Sequence, residues 1–183
     1  AALMVAAGAC ELSMSQWASA FAESGLGVSK TVGDLAGPCF FAVLMGCARV
    51  IYAKVGHKLN LLNAQWMCGL LCVVAYLMTA LSPIPVLALL GCGLCGFSVG
   101  ILWPGTFSVA ARYLPKGGTA MFALLALFGD LGCTGGPTLV GFVSGIFGGE
   151  LKMGLLAAVV FPMLLILAVL VCKRTLAGGK EKP

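Results

Sequence analysis

Apolar residues run along almost the whole chain in long blocks, and the polar segments between and after them, "AESGLGVSKTVGDL", "KVGHKLN", "LSPIP", "RYLPKGG", "GGELK" and the tail "KRTLAGGKEKP", are short except the first and last. Crossing a bilayer as a helix takes about 20 consecutive apolar residues, and blocks of that length recur here from residue 1 to residue 172. The pattern predicts six spans, at about 1–21, 36–53, 59–80, 84–111, 118–147 and 152–172, followed by a tail over 173–183. The expected fold is an all-α membrane protein, a single six-helix transmembrane bundle covering 1–183.

The spans differ in character. The third and sixth are the plainest and suit lipid-facing positions. The fourth, with "GCGLCGFSVGILWPG", and the fifth, with "GDLGCTGGP", carry glycines spaced for close helix contact and a proline that frees a backbone carbonyl. Both are expected to pack inside and to bend, with Pro104, Gly105, Gly132, Gly136 and Pro137 as hinge or gating candidates. In the first span, "ACELSMSQWASAF" places Glu11, Ser15 and Ala18 on one helical face and Ser13, Gln16 and Trp17 on its neighbour, a polar sector across a membrane helix.

Composition agrees: 61% of residues are hydrophobic and 9% charged, with mean hydropathy +1.08, against roughly a quarter charged in soluble domains. That leaves no room for a water-soluble domain. The net charge of +5 sits on residues scattered at segment ends, without a polar face on which nucleic acid would bind. Orientation accounts for it instead. With six spans, Arg49, Lys54, Lys58, Arg112, Lys116, Lys173, Arg174, Lys180 and Lys182 fall on one side and only Lys30 and Lys152 on the other. Basic loops stay inside, so both termini are expected to be cytoplasmic.

The nine cysteines all lie in apolar stretches and read as small packing residues. Cys92 and Cys95 form a CxxC, but the single histidine, His57, and the lack of a second suitable pair argue against zinc or redox chemistry. No metal or other cofactor is expected. The chain opens on "AALMVAAGAC" without an initiator Met and is expected to be a piece of something longer.

Glu11 and Asp130 are the candidate chemistry. Each lies near the middle of its predicted span, where a carboxylate costs at least about 2.5 to 3.5 kcal/mol on insertion scales. No basic residue is expected at matching depth, so each should be protonated or line a wet cavity. A carboxyl in such a site exchanges a proton near physiological pH, as a proton-coupled transporter requires. No phosphate-binding Gly-rich loop of a primary pump is present, and no Ser/His or metal-ligand constellation lies at membrane depth, so an enzyme is not expected.

Six spans with a polar first, a Gly-rich fourth and a Gly/Pro-interrupted fifth resemble the C-terminal half of a major facilitator superfamily transporter. "RVIYAKVGHK" is similar to that family's cytoplasmic loop pattern, with Lys54, Gly56, His57 and Lys58 on its basic, Gly, basic and basic positions. Arg49 and Ala53 stand where the family has Gly and Asp, so the acid of that pattern is missing here. The wording of "ELSMSQWASAF" and "LWPGTFSVAARYLPKGGTAMFALLALFGDLGC" looks most like bacterial sugar permeases. The resemblance implies a 3+3 inverted repeat, residence in a bacterial plasma (inner) membrane, and secondary transport of a small polar, sugar-like solute. It also implies a cavity lined by the first and fourth spans, flanked by the second and fifth. Glu11, Ser13, Gln16, Trp17, Trp103 and Phe107 would then surround the solute, with Glu11 and Asp130 handling the proton. Half of a two-lobed transporter lacks a complete site. The alternatives are therefore a lobe that needs a second six-helix lobe or a homodimer partner, and a non-transporting membrane assembly subunit.

Overall fold

The computed structural model describes residues 1–25 and 29–178, and among these every regular element is a helix. They are α1 (Ala2–Ser15), α2 (Ala18–Ala20), a π turn (Phe21–Gly25), α3 (Lys30–Val55), α4 (Leu61–Leu81), α5 (Pro85–Val99), α6 (Leu102–Tyr113), α7 (Gly118–Ile146), α8 (Leu151–Ala157) and α9 (Val160–Gly178), with a 3-10 turn at Gly56–Lys58. Five stretches are long and apolar enough to cross a membrane: Gly37–Lys58, Leu61–Leu81, Pro85–Tyr113, Gly118–Ile146 and Leu151–Leu176. They correspond to the second through sixth spans read from the sequence. The first differs, because its helix breaks at Gln16–Trp17 after only 14 residues.

Two other breaks have a visible cause. Proline has no N–H to give the carbonyl four residues earlier. Pro104 and Pro162 therefore leave the carbonyls of Gly100 and Ala158 without that partner, and the chain loosens at Gly100–Ile101 and at Ala158–Val159. Ala158 O takes the Phe161 N–H instead, at 3.0 Å. The fourth span thus bends at 100–101 rather than at Pro104–Gly105. The fifth, against expectation, does not break: α7 runs unbroken through Pro137. Local chemistry sets the turns. Asn60 caps α4, its Oδ1 accepting from Asn63 N at 3.2 Å. Gly148 and Gly149 take φ of +70° and +92° between α7 and α8, a backbone that side-chain-bearing residues rarely adopt.

α1 packs most extensively on α7, α5 lies between α3 and α4, and α9 covers α4 and α1. The α5–α6 stretch is the most buried span, whereas α3 and α7 are the least covered. The fifth span therefore does not sit inside. Its small residues Gly129, Gly132, Gly136 and Ser144 face the bundle, while Leu127, Leu131, Phe142 and Ile146 stand exposed on other faces. The third and sixth spans, expected at the lipid, are better covered than α7, although each exposes one apolar stripe, as at Met67, Leu70 and Val74 or Met163, Leu167 and Leu170.

Buried polar groups pin the helices together, since lipid supplies no competing hydrogen bonds. Tyr76 is fully buried and donates its hydroxyl to Cys10 O at 2.8 Å, joining α4 to α1. Gln65 Nε2 donates to Thr106 Oγ1 at 2.7 Å, joining α4 to α6. Trp17 Nε1 donates to Pro137 O at 3.1 Å and fastens the break in the first span to α7. Trp17→Phe keeps the ring and removes the donor. It is expected to cost about 1 kcal/mol, the usual net worth of one hydrogen bond. The thermal unfolding midpoint in detergent reads this directly, and an unchanged midpoint would mean the bond contributes nothing.

Candidate functional site

Ala1, Tyr113, Leu114, Met121 and Leu176 line one cavity, which brings the start of α1, the end of α6, the start of α7 and the end of α9 to one end of the bundle. Lys173 joins that end, with its Nζ 5.5 Å from the centroid of the Trp66 ring near the start of α4.

An open recess of 680 Å³ is walled by Glu11 of α1, Arg49, Tyr52 and Ala53 of α3, and Trp103, Pro104 and Phe107 of α6. Arg49 Nη2 stands 3.8 Å from Glu11 Oε1, the one ion pair among the described residues. This corrects the expectation that Glu11 has no basic partner. Arg49 lies six residues before the end of α3, and its long stem carries the guanidinium to Glu11 rather than only outward to the membrane surface. The Glu11 side chain is 16% exposed and that of Arg49 48%, so the carboxylate is largely enclosed while part of the guanidinium faces the opening.

The aromatic wall is continuous. Trp103 and Phe107 have ring centroids 6.3 Å apart, and Phe107 and Phe122 of α7 are 5.9 Å apart, both tilted pairs. The Trp103 ring also lies over Gly129, where an added Cβ would come within 2.8 Å of Cζ2. Asp130, the next residue, is exposed, and its carbonyl accepts from Thr134 Oγ1 at 3.0 Å while Thr134 O accepts from Thr138 Oγ1 at 2.7 Å. Asp130, Thr134 and Thr138 form one exposed polar stripe on α7 at helical spacing.

The expected solute residues are thus divided. Glu11, Trp103 and Phe107 meet in the first recess. Gln16 and Trp17 line a second of 620 Å³ with Thr134, Pro137 and Thr138. Ser13 lines neither, being buried where α1 meets α7 at Gly136. Asp130 also lines neither, although Thr134 of its stripe borders the second. Among the hinge candidates, Pro104 borders the first recess and Pro137 the second, Gly105 backs onto Gln65, and Gly132 and Gly136 are pressed against α1. Lys54, His57 and Lys58 are exposed at the turn that follows α3.

Sequence reasoning missed Arg49 and Tyr52 as site residues. Their spacing of three puts them on one face of α3, but the loop pattern drew attention to the residues beyond them. Tyr52 donates its hydroxyl to Ser108 Oγ at 2.9 Å and ties α3 to α6 at the edge of the recess. Scans against protein-family models, curated proteins and solved structures each find no match for this chain.

Proposed function

We propose that this chain is a membrane-embedded lobe of a secondary transporter that moves a small polar, sugar-like solute, with Glu11 and Asp130 carrying a coupled proton. The observation behind this reading is the first recess: a carboxylate of α1 and a guanidinium of α3 beside a tryptophan and a phenylalanine of α6, where α3 and the α5–α6 stretch are long and apolar enough to span a bilayer. Such a pair donates to and accepts from sugar hydroxyls, and the Trp103 face offers the apolar patch on which a pyranose stacks.

The packing supports a 3+3 inverted repeat like that of the major facilitator superfamily. Exchanging the first three spans for the last three turns the α1–α7 contact into the α5–α3 contact and the α4–α5 contact into the α9–α1 contact, and returns α4–α9 to itself. Both members of the first pair depend on glycine: Gly132 and Gly136 of α7 lie on the backbone of α1, and Gly96 of α5 and Gly100 just after it lie on that of α3. In this reading the basic end faces the cytoplasm and carries both termini.

A second reading is that the lobe transports only with a partner, either another six-helix lobe or a second copy of itself. Its support is that α3 and α7 are the least covered spans, and that α7 presents Asp130, Thr134 and Thr138 on an open face. A mid-membrane carboxyl is poorly suited to lipid. Uptake into proteoliposomes under an imposed pH gradient, with a panel of sugars and amino acids, separates the two. A self-sufficient transporter takes up solute in proportion to the gradient, and Glu11→Gln or Asp130→Asn lowers that uptake at least about tenfold, equivalent to about 1.4 kcal/mol. A folded wild-type chain without uptake supports the lobe that needs a partner. Uptake untouched by either substitution removes the proton-coupling role.

A further inference from the structure

A smaller recess of 320 Å³ adjoins the first and shares Tyr52 and Ala53 with it. It opens at the 3-10 turn after α3 and is lined on its polar side by Tyr52, His57, Ser108 and Arg112, and on its apolar side by Leu59 and Leu61. It belongs to the basic end, since Arg112 is the penultimate residue of α6. We propose that it binds the phosphate of an acidic phospholipid such as phosphatidylglycerol, with an acyl chain lying along α3. Such a site requires only that the helices cross a membrane and is independent of transport.

The polar wall consists of groups that donate. Arg112 is exposed, and no carboxylate pairs with it among the described residues. Its planar fork suits phosphate oxygens. The Ser108 Oγ accepts the Tyr52 proton, which leaves the serine's own proton to give. His57 adds ring nitrogens at the rim, and the exposed Lys54 and Lys58 flank the turn, so the local field favours an anion. The described carboxylates do not compete: Glu11 is engaged by Arg49, Glu23 lies in the π turn that ends the first span, Asp130 stands on the exposed face of α7 and lines neither recess, and Glu150 lies in the turn between α7 and α8.

A lipid fits better than a free phosphate because the recess is only half polar. Leu59 lines it, and Ile51 and Val55 of α3 are exposed in the preceding turns, 49% and 37%, at a spacing of four that makes one apolar strip leading from the recess. Helix termini of a spanning bundle stand at headgroup level, where basic pockets between helices collect acidic headgroups.

Native mass spectrometry of the detergent-purified chain tests this, with phosphatidylglycerol, phosphatidylcholine of the same acyl chains, and soluble glycerol phosphate offered separately. The wild type is expected to retain one phosphatidylglycerol at least about tenfold more tightly than phosphatidylcholine, as two or so cationic contacts would give. Arg112→Gln should erase that preference, and Lys152→Gln, at the opposite end, should leave it intact. His57→Gln, in an exposed turn, provides a second probe should Arg112→Gln fold poorly, and it should weaken the preference. Equal retention of the two lipids, or a preference that survives both Arg112→Gln and His57→Gln, overturns the site. Glycerol phosphate binding as tightly as the lipid overturns the acyl-chain half of the proposal.

Discussion

Gly132→Leu is expected to unseat α1 from α7 and leave little monodisperse protein. At Gly132 an added Cβ would meet the carbonyl oxygen and carbon of Val5 and, at 3.0 Å, the backbone nitrogen of Ala9. Backbone cannot rotate aside as a flexible side chain can. Gly136 has the same relation to Ala9, with its Cα at 2.8 Å, and a Cβ added at Gly8 of α1 would meet the carbonyl oxygen of Gly129 and, at 3.1 Å, the backbone nitrogen of Cys133 of α7, so the two helices approach main chain to main chain over several turns. Overpacking a tight core costs about 1–3 kcal/mol and occasionally more. An isobutyl group between two backbones should reach or exceed the top of that range, about 3 kcal/mol. Gly135→Ala is the matched control: it lies three residues away on the open face of the same helix, with nothing within 4 Å of the added carbon. Alanine is the better helix former, so this change should leave stability unaltered or raise it by about 0.5–1 kcal/mol. Thermal unfolding and size-exclusion profiles of the two proteins decide it. A Gly132→Leu protein as stable as wild type would mean that α1 and α7 do not approach this closely.

These glycines are the most legible part of the packing. "GDLGCTGGP" announces small residues at helical spacing, and close packing is the physical use of that pattern in a membrane. Long apolar blocks also correspond, to within a few residues at most boundaries, to five helical stretches long and apolar enough to cross a membrane, because hydropathy and length are read from the sequence directly. Three things were less legible. The break at Gln16–Trp17 has no proline behind it and is held by a bond from Trp17 to Pro137, 120 residues away, which no local pattern contains. Burial was misjudged for α7, since glycines reveal a close contact on one face and say nothing of the other, where Asp130 stands exposed. The partner of Glu11 is not legible from position along the chain, because arginine delivers its charge several ångströms from its own backbone.

That partnership gives the second large effect. Arg49→Gln removes the cation and leaves Glu11 enclosed without its counter-charge. Removing one member of a fully buried pair costs about 3–5 kcal/mol. With Arg49 half exposed and the atoms 3.8 Å apart, the cost here should be smaller, roughly 1–2 kcal/mol of stability. Adding Glu11→Gln removes the stranded carboxylate, so the double variant should recover most of that loss. The corresponding double-mutant cycle is expected to show a coupling of about 1 kcal/mol, and strictly additive effects would mean that water separates the two groups. Uptake gives a different answer from stability in the same four proteins. If the pair only holds α1 to α3, restored stability brings restored uptake. If Glu11 and Arg49 bind the solute, as the recess they share with Trp103 and Phe107 suggests, the double variant is stable yet at least about tenfold slower, because a loss of about 1.4 kcal/mol in solute contacts is not repaired by neutralising the site.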